Sequence, residues 1–354
     1  MKIGILTFND TNNFGSLLQT YGLYKAVLDK YGDCEIINYR CENLYNREVP
    51  KNFSQLRNLK DIYRYFKYHR EQQKKYDGLC RFANENMVVS PVLTKKTISE
   101  YCKRYDKVIV GSDIVWGLDI TGEDYSYFLD FLNSDEKYAY ASSFGSDYIL
   151  NDARRERVGE LLSNFKLIAV RESDACQIVE ELSGKNAQLV LDPTLLLKKS
   201  CWETKVSKRL IESPYILTYF EDNQGIVQNA ALQLSKKYEK PVYNISNGRT
   251  MTGVNNVSVF SLEDFLSYIY YADFVVTASY HGMVFSIIFN KQFYFYNRCH
   301  KSRMETLSRL SELQSRELKG LAFEEDLLID FEKVNENISR WRNISYDYLD
   351  KVVR

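Results

Sequence analysis

The chain has 354 residues, of which 45% are hydrophobic and 27% charged, and its 47 basic residues balance 47 acidic ones. That length suits about two domains of ordinary soluble composition, and zero net charge gives no push toward nucleic acid or an acidic surface. Seven cysteines without a CxxC pair argue against a disulfide framework and against structural zinc, which points to reduced thiols in a cytoplasmic protein.

The first segment, Met1 to Phe8, reads as a short strand, too brief and too soon polar for a signal peptide. No stretch has the apolar length of a bilayer span. The loop Asn9 to Ser16 follows, then a helix from Leu17 to Lys30 with Leu17, Tyr21, Tyr24 and Leu28 at helical spacing and Gly32 as its stop. Cys34 to Tyr39 is the second strand, and this βαβ opening predicts a parallel sheet. The first loop is too poor in glycine for a dinucleotide fingerprint. Its asparagines have two readings, capping of the helix or binding of hydroxyls. Residues 55–81 are helical and basic. They read as a solvated face over a core, with Tyr63 and Phe66 on the packing side and a membrane-surface helix as the other reading.

Lys107 to Val110 is a buried strand ending in Gly111-Ser112-Asp113, with Trp116 beyond. Lys137 to Ser143 is another, ending at Phe144-Gly145. A helix spans about Asp152 to Phe165. Leu167 to Val170 then runs into Arg171-Glu172-Ser173, and a helix continues to Leu182. In a parallel sheet these strand ends share one edge, where ligands bind. Arg171 brings a fixed fork of donors to a strand end and helix start, which suits an anion; an ion pair with Glu172 or another acid is the alternative. Gln188 to Leu191 closes the first series, and the polar Asp192-Pro193-Thr194 stretch with Lys198–Ser213 is the crossing to a second.

The second series reads as strand Tyr215–Phe220, helix Gln224–Tyr238, strand Pro241–Ser246, helix Ser261–Tyr271 with a Ser261/Asp264 capping pair, strand 274–278, helix 283–288, strand Gln292–Tyr296 and helix Ser302–Leu313. The β-branched run from Phe274 stops at Ser279-Tyr280-His281-Gly282, ahead of a helix start whose first amides lack internal partners. His281 is one of only three histidines. A plain core turn is the competing reading. Domains are expected at 1–197 and 198–330, with a helical tail, 331–354, returning to the first. The 28 tyrosines suit sugar binding or reflect coding bias, and bias is favoured.

Taken in order, Met1-Lys2-Ile3-Gly4-Ile5, Asn13-Phe14-Gly15, Leu18-Gln19, Ile109 to Trp116, Tyr127 to Phe131, Ala141 to Gly145, Val170 to Ser173, Leu191 to Thr194 and Ser279 to Gly282 resemble the polysaccharide pyruvyl transferase family. The resemblance implies a GT-B-like α/β fold, two Rossmann-like domains facing a cleft. It implies transfer of the enolpyruvyl group of phosphoenolpyruvate to a cell-surface polysaccharide or its lipid-linked precursor, as a pyruvate ketal with release of phosphate. Phosphoenolpyruvate is then donor substrate, with no further cofactor and no metal. His281 matches the family's histidine and takes the acid/base role; Arg171 matches its arginine and joins His281 as catalytic, on the donor's carboxylate or phosphate. Ser279 and Gly282 complete the donor side, Gly282 by letting the backbone approach the phosphate. Asn13, Gly15, Ser112, Asp113 and Ser143 fall on the acceptor side.

One departure stands out. Many members carry an arginine ahead of the histidine, as Arg-Leu-His-Gly, where this chain has Ser279-Tyr280. The missing charge is assigned to Arg303, with Arg298 or Lys301 less favoured. The alternatives are a GT-B nucleotide-sugar glycosyltransferase, which the lack of a Glu-x₇-Glu ribose motif disfavours, and a non-catalytic glycan-binding relative. A cytoplasmic location follows, with peripheral contact at the inner membrane face as an option.

Overall fold

The structure, a computed structural model, describes all residues except 52, 54, 55, 57, 221–224, 247–249, 298–301 and 322–327 and the side chains of Lys60, Asp61 and Arg64. Arg298 and Lys301 therefore lie outside the described residues. In chain order the first elements are β1 Ile3–Leu6, α1 Phe14–Tyr31, β2 Cys34–Ile36, α2 Glu42–Glu48, α3 Leu59–Asn86, α4 Ile98–Cys102, β3 Lys107–Val110, α5 Leu118–Thr121, β4 Lys137–Ser142, α6 Arg155–Ser163, β5 Leu167–Val170, α7 Ser173–Ser183 and β6 Ala187–Leu189. There follow α8 Lys199–Glu203, β7 Ile216–Tyr219, α9 Gly225–Tyr238, β8 Val242–Ile245, β9 Asn255–Val257, α10 Leu262–Tyr270, β10 Phe274–Thr277, α11 Tyr280–Ile288, β11 Gln292–Phe295, α12 Ser302–Leu310 and α13 Phe331–Val353.

The short apolar runs become two all-parallel sheets, because strands covered by helices on both faces must be apolar nearly throughout. The first sheet has the order β2-β1-β3-β4-β5-β6 and the second β11-β10-β7-β8-β9. Leu6, Val110, Ile168 and Val170 anchor one core, and Ile216, Val242, Phe274 and Val276 anchor the other. Strand β2 stops at Ile36, short of the expected Tyr39, because the chain beyond it pairs with residues 88–93 through Ser90 N to Ile36 O and Leu93 N to Asn38 O.

The chain divides into two compact units: Met1–Val49, Ala83–Leu197 and Ser339–Arg354 in the first, Pro50–Phe82 and Lys198–Ile338 in the second. Residues 50–82 thus group with the second series, although their place in the sequence suggests the first. The cause is close packing of α3 within that unit. A Cβ on Gly78 would lie 1.9 Å from the Phe260 carbonyl oxygen, so only glycine permits this approach. The packing face begins there, with Gly78, Leu79 and Phe82 buried; Tyr63 and Phe66, expected in it, are exposed.

Within the first unit, tyrosine hydroxyls act as struts. Tyr348 on α13 donates to Ala139 O at 2.7 Å, and Tyr140 donates to Leu191 O at 3.1 Å. Tyr105 donates to Glu35 at 2.9 Å and Tyr39 to Asp124 at 2.6 Å. Among the described residues no helix is long and apolar enough to cross a membrane.

Candidate functional site

A parallel sheet opens a crevice where the strand order reverses direction. In the first sheet that point lies between β1 and β3, and in the second between β7 and β10. The sequence-predicted residues lie at or near strand ends of the two sheets, apart from Arg303 on α12, each set on its own unit.

At the first switch point, Asn13 caps α1. Its side chain accepts from Gly15 N at 2.8 Å and Ser16 N at 3.4 Å, so of its two readings the structure shows capping. Gly15 is buried in the first turn. Buried Gln19 ties the two strand ends together. It donates to Thr7 Oγ1 at 3.0 Å and accepts from Ser112 N at 3.3 Å, while Thr7 donates to the Ser112 carbonyl at 3.0 Å. Asp113, held at φ 75°, accepts from Ser16 Oγ at 2.6 Å and from Ile114 N at 2.8 Å. Trp116 is core, fully buried with its indole N–H on Tyr127 O.

Arg171 lies at the same edge, but not as a free anion-binding fork. Its side chain is 0% exposed and meets three carboxylates: Asp113 at 3.6 Å, Glu172 at 3.2 Å and Asp192 at 3.1 Å. Ser143 donates to the same Glu172 oxygen at 2.6 Å. The second Asp192 oxygen accepts from Thr194 N at 3.0 Å and Thr194 Oγ1 at 2.6 Å. Of its two readings the structure shows the ion pair, with Glu172 and with two acids from other strand ends. In the sequence Asp192 belongs to a domain crossing and to one of the family-like motifs, with no sign of an ion pair. The Asp-Pro-Thr turn was legible, but its partner on another strand was not.

At the second switch point the turn after β10 is a helix start. Ser279 is the N-cap of α11, accepting from Gly282 N at 3.4 Å, so Tyr280, His281 and Gly282 form the first helical turn rather than a loop. Ser279 N donates to Thr277 Oγ1 at 3.0 Å, and Thr277 Oγ1 in turn donates to Tyr219 O on β7. A Cβ on Gly282 would lie 2.4 Å from Thr277 Oγ1. The glycine is thus required by its own strand, a reason different from the close phosphate approach expected of it. His281 is 9% exposed, edge-on to Tyr280 with ring centroids 5.2 Å apart. From α12, the Arg303 guanidinium carbon lies 5.4 Å from the Tyr280 ring centroid.

Chemically the two edges differ. The first carries three carboxylates around one guanidinium, with serine hydroxyls on two of the acids: a buried hydrogen-bonded cluster. The second carries a helix N-terminus, an imidazole and a nearby guanidinium, a set suited to anions and to proton transfer. Among the described residues no group of three His, Cys, Asp or Glu side chains is arranged to hold a metal ion.

The family model described as polysaccharide pyruvyl transferase matches residues 13–300, from the α1 cap past the His281 turn. No curated protein matches the chain. Among solved structures, UDP-GlcNAc 2-epimerase from Neisseria meningitidis bound to UDP-GlcNAc is similar with a TM-score of 0.53 and 10% identity, over 100% of this chain and 94% of that one. UDP-N-acetylglucosamine 2-epimerase from Rickettsia bellii is similar with a TM-score of 0.53 and 10% identity, over 99% and 97%. At such identities the likeness is one of fold alone, and that fold is the GT-B-like α/β architecture expected from the sequence.

Proposed function

The chain belongs to the polysaccharide pyruvyl transferase family, and from that premise we propose that it moves the enolpyruvyl group of phosphoenolpyruvate onto two hydroxyls of a sugar in a cell-surface polysaccharide or its lipid-linked precursor. One hydroxyl gives up its proton and adds to C2 of the donor as C3 takes a proton and becomes a methyl group. Phosphate leaves C2, and the second hydroxyl closes the ketal and gives up its proton.

His281 is the residue assigned to these proton transfers, because imidazole titrates near neutrality. The observation that carries the reading is the β10–α11 turn at a strand-order switch. There the capped helix start, His281 and, beside Tyr280, the guanidinium of Arg303 come together. Arg303 supplies the positive charge for which Tyr280 has no substitute, and the donor's carboxylate and phosphate are its ligands in this proposal. Acceptor hydroxyls are assigned to the first unit's edge, with Ser112, Ser143 and Asp113. The carboxylates and serine hydroxyls at that edge are hydrogen-bonding groups, which suit the hydroxyls of a sugar. Arg171 acts as a positioning residue for Asp113 and Glu172.

The test is incubation with phosphoenolpyruvate and a panel of glycans and lipid-linked oligosaccharides, reading phosphate release and the mass gain of a pyruvate ketal. Release of phosphate coupled to that mass gain is expected. Turnover of a nucleotide sugar without any phosphate release from phosphoenolpyruvate would overturn the proposal in favour of a glycosyltransferase, and glycan binding without turnover of either donor in favour of a binding relative.

A further inference from the structure

The N-terminal half of α3 has a surface that the site does not use. Leu59, Tyr63 and Phe66 are 84%, 62% and 75% exposed, and Phe53, 60% exposed, packs edge-on to Phe66 at 6.4 Å and to Tyr65 at 5.7 Å. The spacing i, i+4, i+7 puts the three helix residues on one face. Lys67, Arg70 and Lys74, all exposed, continue the same face toward the buried end at Gly78. The Lys67 ammonium sits 5.5 Å from the Tyr63 ring and 5.0 Å from that of Tyr68. Between Lys51 and Lys75 the sequence has eight Lys/Arg and two Asp/Glu, a net +6 in a chain whose total is zero. Positive charge is therefore concentrated where large apolar side chains are left in water.

We infer that this half-helix is a docking surface for an anionic lipid bilayer. The apolar tip, Phe53, Leu59, Tyr63 and Phe66, enters the boundary between headgroups and acyl chains, and the basic residues behind it meet the headgroups. Aromatic side chains suit that depth, being apolar in body and polar at one end. Gly78, Leu79 and Phe82, further along the same helix, are buried and tie it to its unit. A surface of this kind would bring the protein to an acceptor that is itself attached to lipid. The inference stands on the surface alone and does not need the donor assignment.

The experiment is co-sedimentation of the full chain with vesicles of phosphatidylcholine alone or mixed with phosphatidylglycerol. Binding to the mixed vesicles only is expected, weakening as salt shortens the Debye length from about 10 Å to about 3 Å. Lys67→Glu with Arg70→Glu lowers partitioning roughly thirtyfold or more, and Leu59→Ser with Phe66→Ser lowers it to a similar degree. Both variants keep the circular dichroism and the phosphate release of the parent with a water-soluble acceptor. Equal binding to neutral and anionic vesicles, no binding, or binding that both variants retain overturns the inference. So does a self-association that Leu59→Ser with Phe66→Ser abolishes, since it assigns the patch to a second copy. Vesicle binding requires no donor, so its failure is separable from a failure of phosphate release.

Discussion

The edge of the first sheet and the β10–α11 turn of the second occupy equivalent points in their topologies, yet they handle charge in opposite ways. Arg171 is wholly enclosed and shares three carboxylates, so its charge holds neighbours in place. Arg303 approaches the face of Tyr280, next in sequence to His281, from a separate helix. An arginine after a strand suggests anion binding from sequence alone. What decides is the number of acids that other strands bring to it. Under the proposed function, Arg171 builds geometry and Arg303 binds the donor.

Five substitutions, one of them made to relieve another, test that contrast. His281→Asn should lower kcat by about 10²–10⁴-fold at unchanged stability, since it removes an acid/base group; measured phosphate release within a factor of two of the parent would place the chemistry elsewhere. Arg171→Met should act on folding. Removing one member of a buried ionic group typically costs about 3–5 kcal/mol, and urea unfolding should show that loss. A variant with full stability but weaker phosphoenolpyruvate binding would reverse the roles given to the two arginines. Gly282→Ala should destabilise by about 1–3 kcal/mol through overpacking against Thr277, and Thr277→Ala should relieve part of it; a lone rise in KM would instead restore the close phosphate approach. Arg303→Ala should raise KM for phosphoenolpyruvate about tenfold, the loss of one charge-assisted bond, with little change in kcat or melting temperature. Unchanged affinity would remove Arg303 from the donor side.

Much of the architecture was legible because parallel strands are short apolar runs closed by polar residues, as in Lys107–Val110 or Phe274–Thr277. Strand β9, Asn255–Val257, was not. It is a polar edge strand held by Asn256, which accepts from Asn244 Nδ2 at 2.9 Å and from Met251 N at 2.7 Å, and nothing in its hydropathy announces pairing. The Ser261 cap on Asp264 N was read directly, since capping is local. The partners of Arg171 were not, because Asp113 and Asp192 reach it only through strand order. Grouping of 50–82 with the second unit escaped for the same reason: Gly78 looks like any glycine until Phe260 is brought against it.

The tyrosine struts carry a consequence of their own. Burial first, and then the carboxylates that accept from them, push the Tyr39 and Tyr105 phenols far above their usual value of about 10; burial does the same for Tyr140 and Tyr348. The folded state therefore holds these protons more tightly than the unfolded chain. The stability they contribute is complete below about pH 10 and drains away as alkalinity rises toward their folded values. Alkaline titration should accordingly show the buried phenolate signal appearing together with loss of circular dichroism, in one step, after the exposed tyrosines have ionised gradually. The abundance of tyrosine thus equips this protein with an internal optical gauge of its own unfolding.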